Sequence, residues 1–267
     1  MNPKRSIIAT ASARIGAILL VPGILSLIFS IIGETSILAF IGLGLTFWGA
    51  LFIIITPKRY VEGTLLDSAA LPLYQTTDRI IKNFQQKPIA YHTPPYPKDV
   101  YLPDHLKGLK DMVVFITTEN EKAIPSIQEL AEGKFTMRKP HGVVVSPPGL
   151  GLLTTIENKT NADFTKMNLE ELCETLPHLI LDNFGLAHEM EMTPEQNNVK
   201  LILFDSIYKN LYSNENNLKS IFILGCPIVS AAACAIAKTT GKPVTIQKQE
   251  TSPDGSTLKA LISIVQE

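Results

Sequence analysis

The sequence predicts an α/β domain of the α+β kind, with antiparallel strands, preceded by a two-helix transmembrane hairpin. Three observations predict it. Two long uncharged apolar stretches lie within the first 56 residues, basic residues flank them unevenly, and the rest of the chain mixes helical and alternating patterns.

Residues 15–33 (IGAILLVPGILSLIFSIIG) and 37–56 (ILAFIGLGLTFWGALFIIIT) contain no charge and are separated by Glu34, Thr35 and Ser36 alone. A helix of about 20 apolar residues spans a hydrocarbon core of roughly 30 Å. A cleaved signal peptide would have a shorter core and a small-residue cleavage site, and Ile32-Gly33-Glu34 supplies none. Lys4, Arg5 and Arg14 precede the first stretch, Lys58 and Arg59 follow the second, and the turn between has no basic residue. The positive-inside rule then predicts a cell-membrane protein with two spans and both ends in the cytoplasm. Neither span holds an ionisable residue, so the pair reads as an anchor rather than an ion path. Gly42, Thr46 and Ala50 recur every fourth residue, a small-residue face for close packing on the first span, with a partner or dimer contact as the alternative. Pro22 and Gly23 predict a kink.

Five of the chain's 24 Lys and Arg and one of its 25 Asp and Glu lie before residue 60. Residues 60–267 therefore carry 19 basic and 24 acidic residues, a net charge of −5. Such a balance excludes a nucleic-acid binder, which needs clustered Lys and Arg for phosphate. Cys173, Cys226 and Cys234 all fall on the predicted cytoplasmic side, where thiols stay reduced and no disulfide is expected.

The chain divides into the hairpin (1–60), an amphipathic helix with a Pro-rich connector (61–104) and an α/β domain (105–267). Residues 62–86 carry Leu65, Leu66, Ala69, Leu73, Ile80, Ile81 and Phe84 mostly at helical spacing, with Pro72 expected to bend or split the helix. Residues 89–103 (IAYHTPPYPKDVYLP) are too rich in proline for a helix. They read as an extended edge segment or a ligand for an aromatic-lined domain. Strands are predicted at 112–117, 142–146, 186–192, 199–205, 244–250 and 258–265. The third and fourth form a hairpin, the last two meet at the turn residues 252–256, and 214–217 is a loop. Helices are predicted to begin at Leu150, to cover 168–183 with Asn168 as N-cap and a break at Pro177, and to cover 227–240 with Gly241 as C-cap.

Catalytic patterns fail on spacing. Cys226 and Cys234 stand about 80° apart and about 12 Å along a helix, too far to share a metal ion. His188-Glu189 lacks the second His of a zinc protease, since position 192 is Met. Gly149 and Gly151 match no phosphate-binding fingerprint, and His141 has no nucleophile spaced to pair with it. No catalytic residue, metal site or cofactor is predicted. Cys226 alone stands at a helix N-terminus, where the dipole lowers a thiol pKa.

Residues 225–265, GCPIVSAAACAIAKTTGKPVTIQKQETSPDGSTLKALISIV, resemble the last quarter of the 4-vinyl reductase or hydrocarbon-binding domain and of vesicle-tethering (TRAPP-like) subunits. In those families a helix beginning near a Cys runs through Thr-Gly-Lys-x-Val into two antiparallel strands. The family's second Cys is missing from 251–255. The whole chain resembles a group of uncharacterised archaeal membrane-anchored proteins through Pro147–Leu150, Asp163–Met167 and Gly225-Cys226-Pro227.

Together these readings predict a membrane-anchored cytoplasmic binding or scaffold module. Its partners would be the lipid bilayer and an apolar small molecule or a protein, including a second copy of the chain. The expected contacts are Cys226, Ser230, Ala231 and Cys234 on the small-residue helix, which would line a narrow cavity or a close subunit contact. The alternative is an enzyme acting on a lipid or redox substrate through Cys226.

Overall fold

The computed structural model describes residues 3–54, 63–84, 87–95, 112–119, 124–126, 129–130, 134–213 and 218–266. The end of the second apolar stretch, residues 85–86, the connector from 96 to 103 and the loop 214–217 lie outside them. The chain forms two compact units, Met1–Val61 and Glu62–Glu267.

The first unit is a helical hairpin of α1 (Pro3–Gly33) and α2 (Ser36–Ile54). Both are apolar and long enough to cross a membrane. Their outer faces show Ile18, Phe29, Ile31, Phe40, Phe47 and Trp48 to the surroundings. The inner seam is made of small residues at heptad spacing: Gly16, Gly23 and Ser30 on α1, Gly42 and Gly49 on α2. A Cβ on Gly23 would stand 2.7 Å from the Thr46 nitrogen, and one on Gly49 would stand 2.9 Å from the Gly16 carbonyl oxygen. The helix backbones thus touch, as small residues permit. Of the predicted stripe, Gly42 and Thr46 lie in this seam, while Gly49 rather than Ala50 makes the third close approach. Pro22 lies inside α1 without ending it.

The second unit is α+β. It opens with α3 (Gly63–Ile81), which stays one helix through Pro72 instead of splitting. An eight-stranded, wholly antiparallel sheet follows. Its strands are β1 (Ile89–His92), β2 (Val114–Thr117), β3 (Thr136–Arg138), β4 (His141–Val145), β5 (Glu189–Glu195), β6 (Asn198–Phe204), β7 (Val244–Thr251) and β8 (Thr257–Ile264). In space the order is β3-β4-β2-β1-β7-β8-β6-β5. The proline-flanked β1 therefore runs through the middle of the sheet between β2 and β7, not along its edge. Pro88 lies just before its first paired residue and Pro94 past its last, so neither removes a ladder donor.

Alternation sorts the side chains. Ala90, Val114, Ile116, Val199, Leu201, Leu203, Leu258, Ala260 and Ile262 face the main core, while Tyr91 and Phe115 face a smaller cluster with Leu130 and Met137. In β7 the alternation of Val244 and Ile246 ends at a β-bulge before Lys248, which accounts for the break in the sequence pattern. The β5–β6 hairpin turns at Gln196 and Asn197, so β5 begins three residues later than its periodicity suggested.

Helices cover the core side: α4 (Leu150–Thr160), α5 (Leu169–His178), the short α6 (Ile221–Leu224) and α7 (Pro227–Thr240). Asn168 caps α5 in a full capping box with Glu171. After Pro177 the α-helix gives way to a π-helical turn, Leu179–Phe184, because proline leaves the carbonyl one turn back without its donor. Helix α7 starts with Cys226 as N-cap and Pro227 at its first turn, and ends at the left-handed Gly241. Residues 227–237 are all buried, so α7 is the central element of the unit.

Candidate functional site

The predicted contact residues lie on α7 and at its start. Cys226, Ser230, Ala231 and Cys234 are each fully buried, inside the unit rather than on a cavity or a subunit surface. Ala231 shows why α7 sits so deep. A Cβ added to Gly149 would come 2.1 Å from the Ala231 nitrogen and 2.5 Å from the Pro227 carbonyl oxygen. Gly149, read from sequence as part of a failed phosphate loop, is the point where α4 rests on the α7 backbone. The Lys238–Glu157 ion pair and the Thr239 hydroxyl, donating to the Phe164 carbonyl at 2.8 Å, tie down the far end of α7.

The thiol expected to be activated is not. Backbone N–H groups of Ile228 and Val229 and the Tyr212 hydroxyl favour the Cys226 thiolate, as a helix N-terminus should, but burial outweighs them and pushes its pKa up. Tyr74, Tyr208 and Tyr212 surround it, and burial raises all three phenols too. Two of these hydroxyls serve the fold. Tyr74 donates to the Gly225 carbonyl at 2.7 Å, and Tyr212 accepts from the Cys226 N–H at 2.9 Å and donates to Gln249 Oε1 at 2.8 Å. Burial likewise raises the Cys234 thiol, and it takes Cys173 to about 11 with the Glu170 charge adding to the effect.

The structure joins one pair that spacing did not suggest. His92 Nε2, on β1, lies 3.3 Å from the Ser230 hydroxyl, 138 residues away in sequence. A Ser–His contact is the start of a nucleophilic site. Here both residues are fully buried, leaving no approach for a substrate. Burial lowers the His92 pKa to about 4; the Leu224 carbonyl acts in the opposite sense without giving Nδ1 a bond of good geometry. His92 is thus neutral at pH 7, and its contact with Ser230 pins α7 to the middle of the sheet. Among the described residues no three His, Cys, Asp or Glu side chains come together as metal donors.

A sizeable opening lies elsewhere in this unit. A cleft of about 570 Å³ runs between the end of α3 and residues 211–213 and 218–223. Its floor is Ile81, Leu211 and Leu218, all buried; Phe84, Phe222 and Ile223 form the walls; Lys82, Lys87 and Lys219 stand exposed at the rim. Ser220 fixes one wall: its N–H donates to Asp78 Oδ1 at 2.6 Å and its hydroxyl donates to the Tyr74 carbonyl at 2.9 Å. Gln249 fixes the other face of that wall through the Ile221 and Phe222 carbonyls, each at 3.0 Å. Sequence reading placed Ile81 and Phe84 on an apolar helix face but had no means of joining them to Leu218 and Phe222. The volume falls within the range of about 300–1,000 Å³ usual for small-molecule sites.

No curated protein and no solved structure matches the chain. The model of DUF7982, a domain of unknown function, matches residues 5–261 and so takes in both apolar helices and nearly all of the sheet unit. The chain belongs to the DUF7982 family.

Proposed function

We propose that this protein is a membrane-anchored binding module whose sheet domain holds an apolar ligand in the cleft between α3 and residues 211–213 and 218–223. The cleft carries the reading: a recess with an apolar floor and hydrogen-bonded walls, in a domain whose remaining apolar side chains are mostly packed. The hairpin of α1 and α2 serves as the anchor, with both its ends at the cytoplasmic face. The flanking Lys4, Arg5, Arg14, Lys58 and Arg59, set against a turn without basic residues, support that orientation. The likeness of residues 225–265 to a hydrocarbon-binding domain points the same way. An enzyme working through Cys226 is disfavoured by the burial of that thiol and its raised pKa.

The test uses the full chain in phosphatidylcholine nanodiscs with a neutral diazirine-bearing C16 hydrocarbon probe. Photolabelling is expected on peptides covering 81–88 and 211–223, and a cleft-filling Ile223→Trp variant should lose it. Labelling confined to α1 and α2 would overturn the reading.

A further inference from the structure

We infer that the cleft's ligand is a single-chain anionic amphiphile, one hydrocarbon tail ending in a carboxylate or phosphate, dissolved in the membrane. The inference rests on the cleft being the binding site and adds the chemistry of the head. The sheet domain is acidic overall, with 24 Asp and Glu against 19 Lys and Arg over residues 60–267. Yet among the described residues lining this cleft the charged side chains are all lysines: Lys82, Lys87 and Lys219. All three are exposed, and no described carboxylate pairs with their ammonium groups. Asp78, on α3, already accepts the backbone N–H groups of Lys219 and Ser220, at 3.1 and 2.6 Å.

Three unpaired cations around an apolar recess, on a surface of opposite net sign, form a local potential suited to an anionic head above a buried tail. Lysine fits that place well. Its stem lies along apolar surface while its ammonium stays in water, where an incoming carboxylate or phosphate would meet it. A neutral ligand would gain nothing from the three charges, and a cationic one would be repelled. The volume suits one chain; two acyl chains with their headgroup would overfill it.

The experiment compares two photoprobes in the full chain in phosphatidylcholine nanodiscs: a diazirine-bearing C16 carboxylic acid and the matched C16 alcohol. The acid is expected to saturate labelling of 81–88 and 211–223 at about a tenth of the alcohol's concentration, as three exposed ion pairs together allow. A Lys82→Gln/Lys87→Gln/Lys219→Gln variant should erase that advantage while leaving alcohol labelling unchanged, which also shows that its cleft is intact. In Lys82→Glu/Lys87→Glu/Lys219→Glu the order should reverse. Equal labelling by acid and alcohol, or an acid preference that survives the Lys→Gln changes, overturns the anionic head but leaves the apolar cleft standing. Absence of cleft labelling by either probe overturns both.

Discussion

Two stretches of nearly equal hydropathy are buried within the protein to opposite extents. Residues Ser36–Ile53 average 2.1 and Ile221–Thr240 average 2.0, each apolar enough to cross a membrane. In the first only 11% of residues are buried within the protein, and in the second 83% are. The difference lies in side-chain size and in backbone breaks. The N-terminal stretch turns Phe40, Phe47 and Trp48 outward and puts Gly42 and Gly49 in its one seam. The other stretch is broken at Gly225, and beyond it Ser230, Ala231, Ala232, Ala233, Cys234, Ala235 and Ala237 let sheet and helices approach on every side. Mean hydropathy registers transfer out of water; it does not say whether lipid or protein will replace the water.

The sharpest way to break the comparison is to put one charge into each stretch. Ala235→Lys, fully buried, should cost at least about 4 kcal/mol and unfold the sheet unit, since it seals an ammonium inside the apolar core. Phe47→Lys should instead cost about 2.5–3.5 kcal/mol of membrane insertion and leave the sheet unit folded. A glycosylation-tag insertion assay and circular dichroism separate the two outcomes. If Phe47→Lys inserts normally, α2 does not face lipid.

A pH series sharpens the same contrast from the core side. The His92 pKa falls from 6.5 in the unfolded chain to about 4 in the folded one. As pH drops below about 6.5 the unfolded chain takes up the proton first, so stability falls through the window from 6.5 to 4 and then levels off. The full loss is about 3 kcal/mol. Urea midpoints of the sheet unit should record it, and His92→Gln should remove most of the slope.

Gly149→Ala places a methyl against the α7 backbone and should cost about 1–3 kcal/mol, lowering the melting temperature by about 2–4 °C per kcal/mol. Gly49→Ala meets backbone at 2.8 Å in the hairpin and should leave that melting temperature unchanged, because it belongs to the other unit. Calorimetry of both variants checks the pair. The smallest effect concerns Cys226. In the native chain at pH 8.5 it should resist alkylation under conditions in which the urea-unfolded chain reacts fully, and Cys226→Ala should shift C16-acid labelling less than twofold.

Local chemistry was legible in the sequence where it acts over a few residues. The uncharged runs of the hairpin, the Asn168 cap, the Pro227 start and Gly241 end of α7, and the alternation of Leu258, Ala260 and Ile262 each depend on neighbours within a turn or a strand. The tertiary structure alone decided what depends on distant pairing. It set β1 in the middle of the sheet although prolines follow it, and it brought His92 to Ser230. It also buried Cys226 deeply enough to cancel its helix-terminus advantage. The cleft is the clearest case. Ile81 and Phe84 read as one helix's apolar face, while no local pattern singled out Leu218, Phe222 and Ile223. That they face one another under three lysines follows from how α3 packs on the core, a long-range contact that no local periodicity encodes.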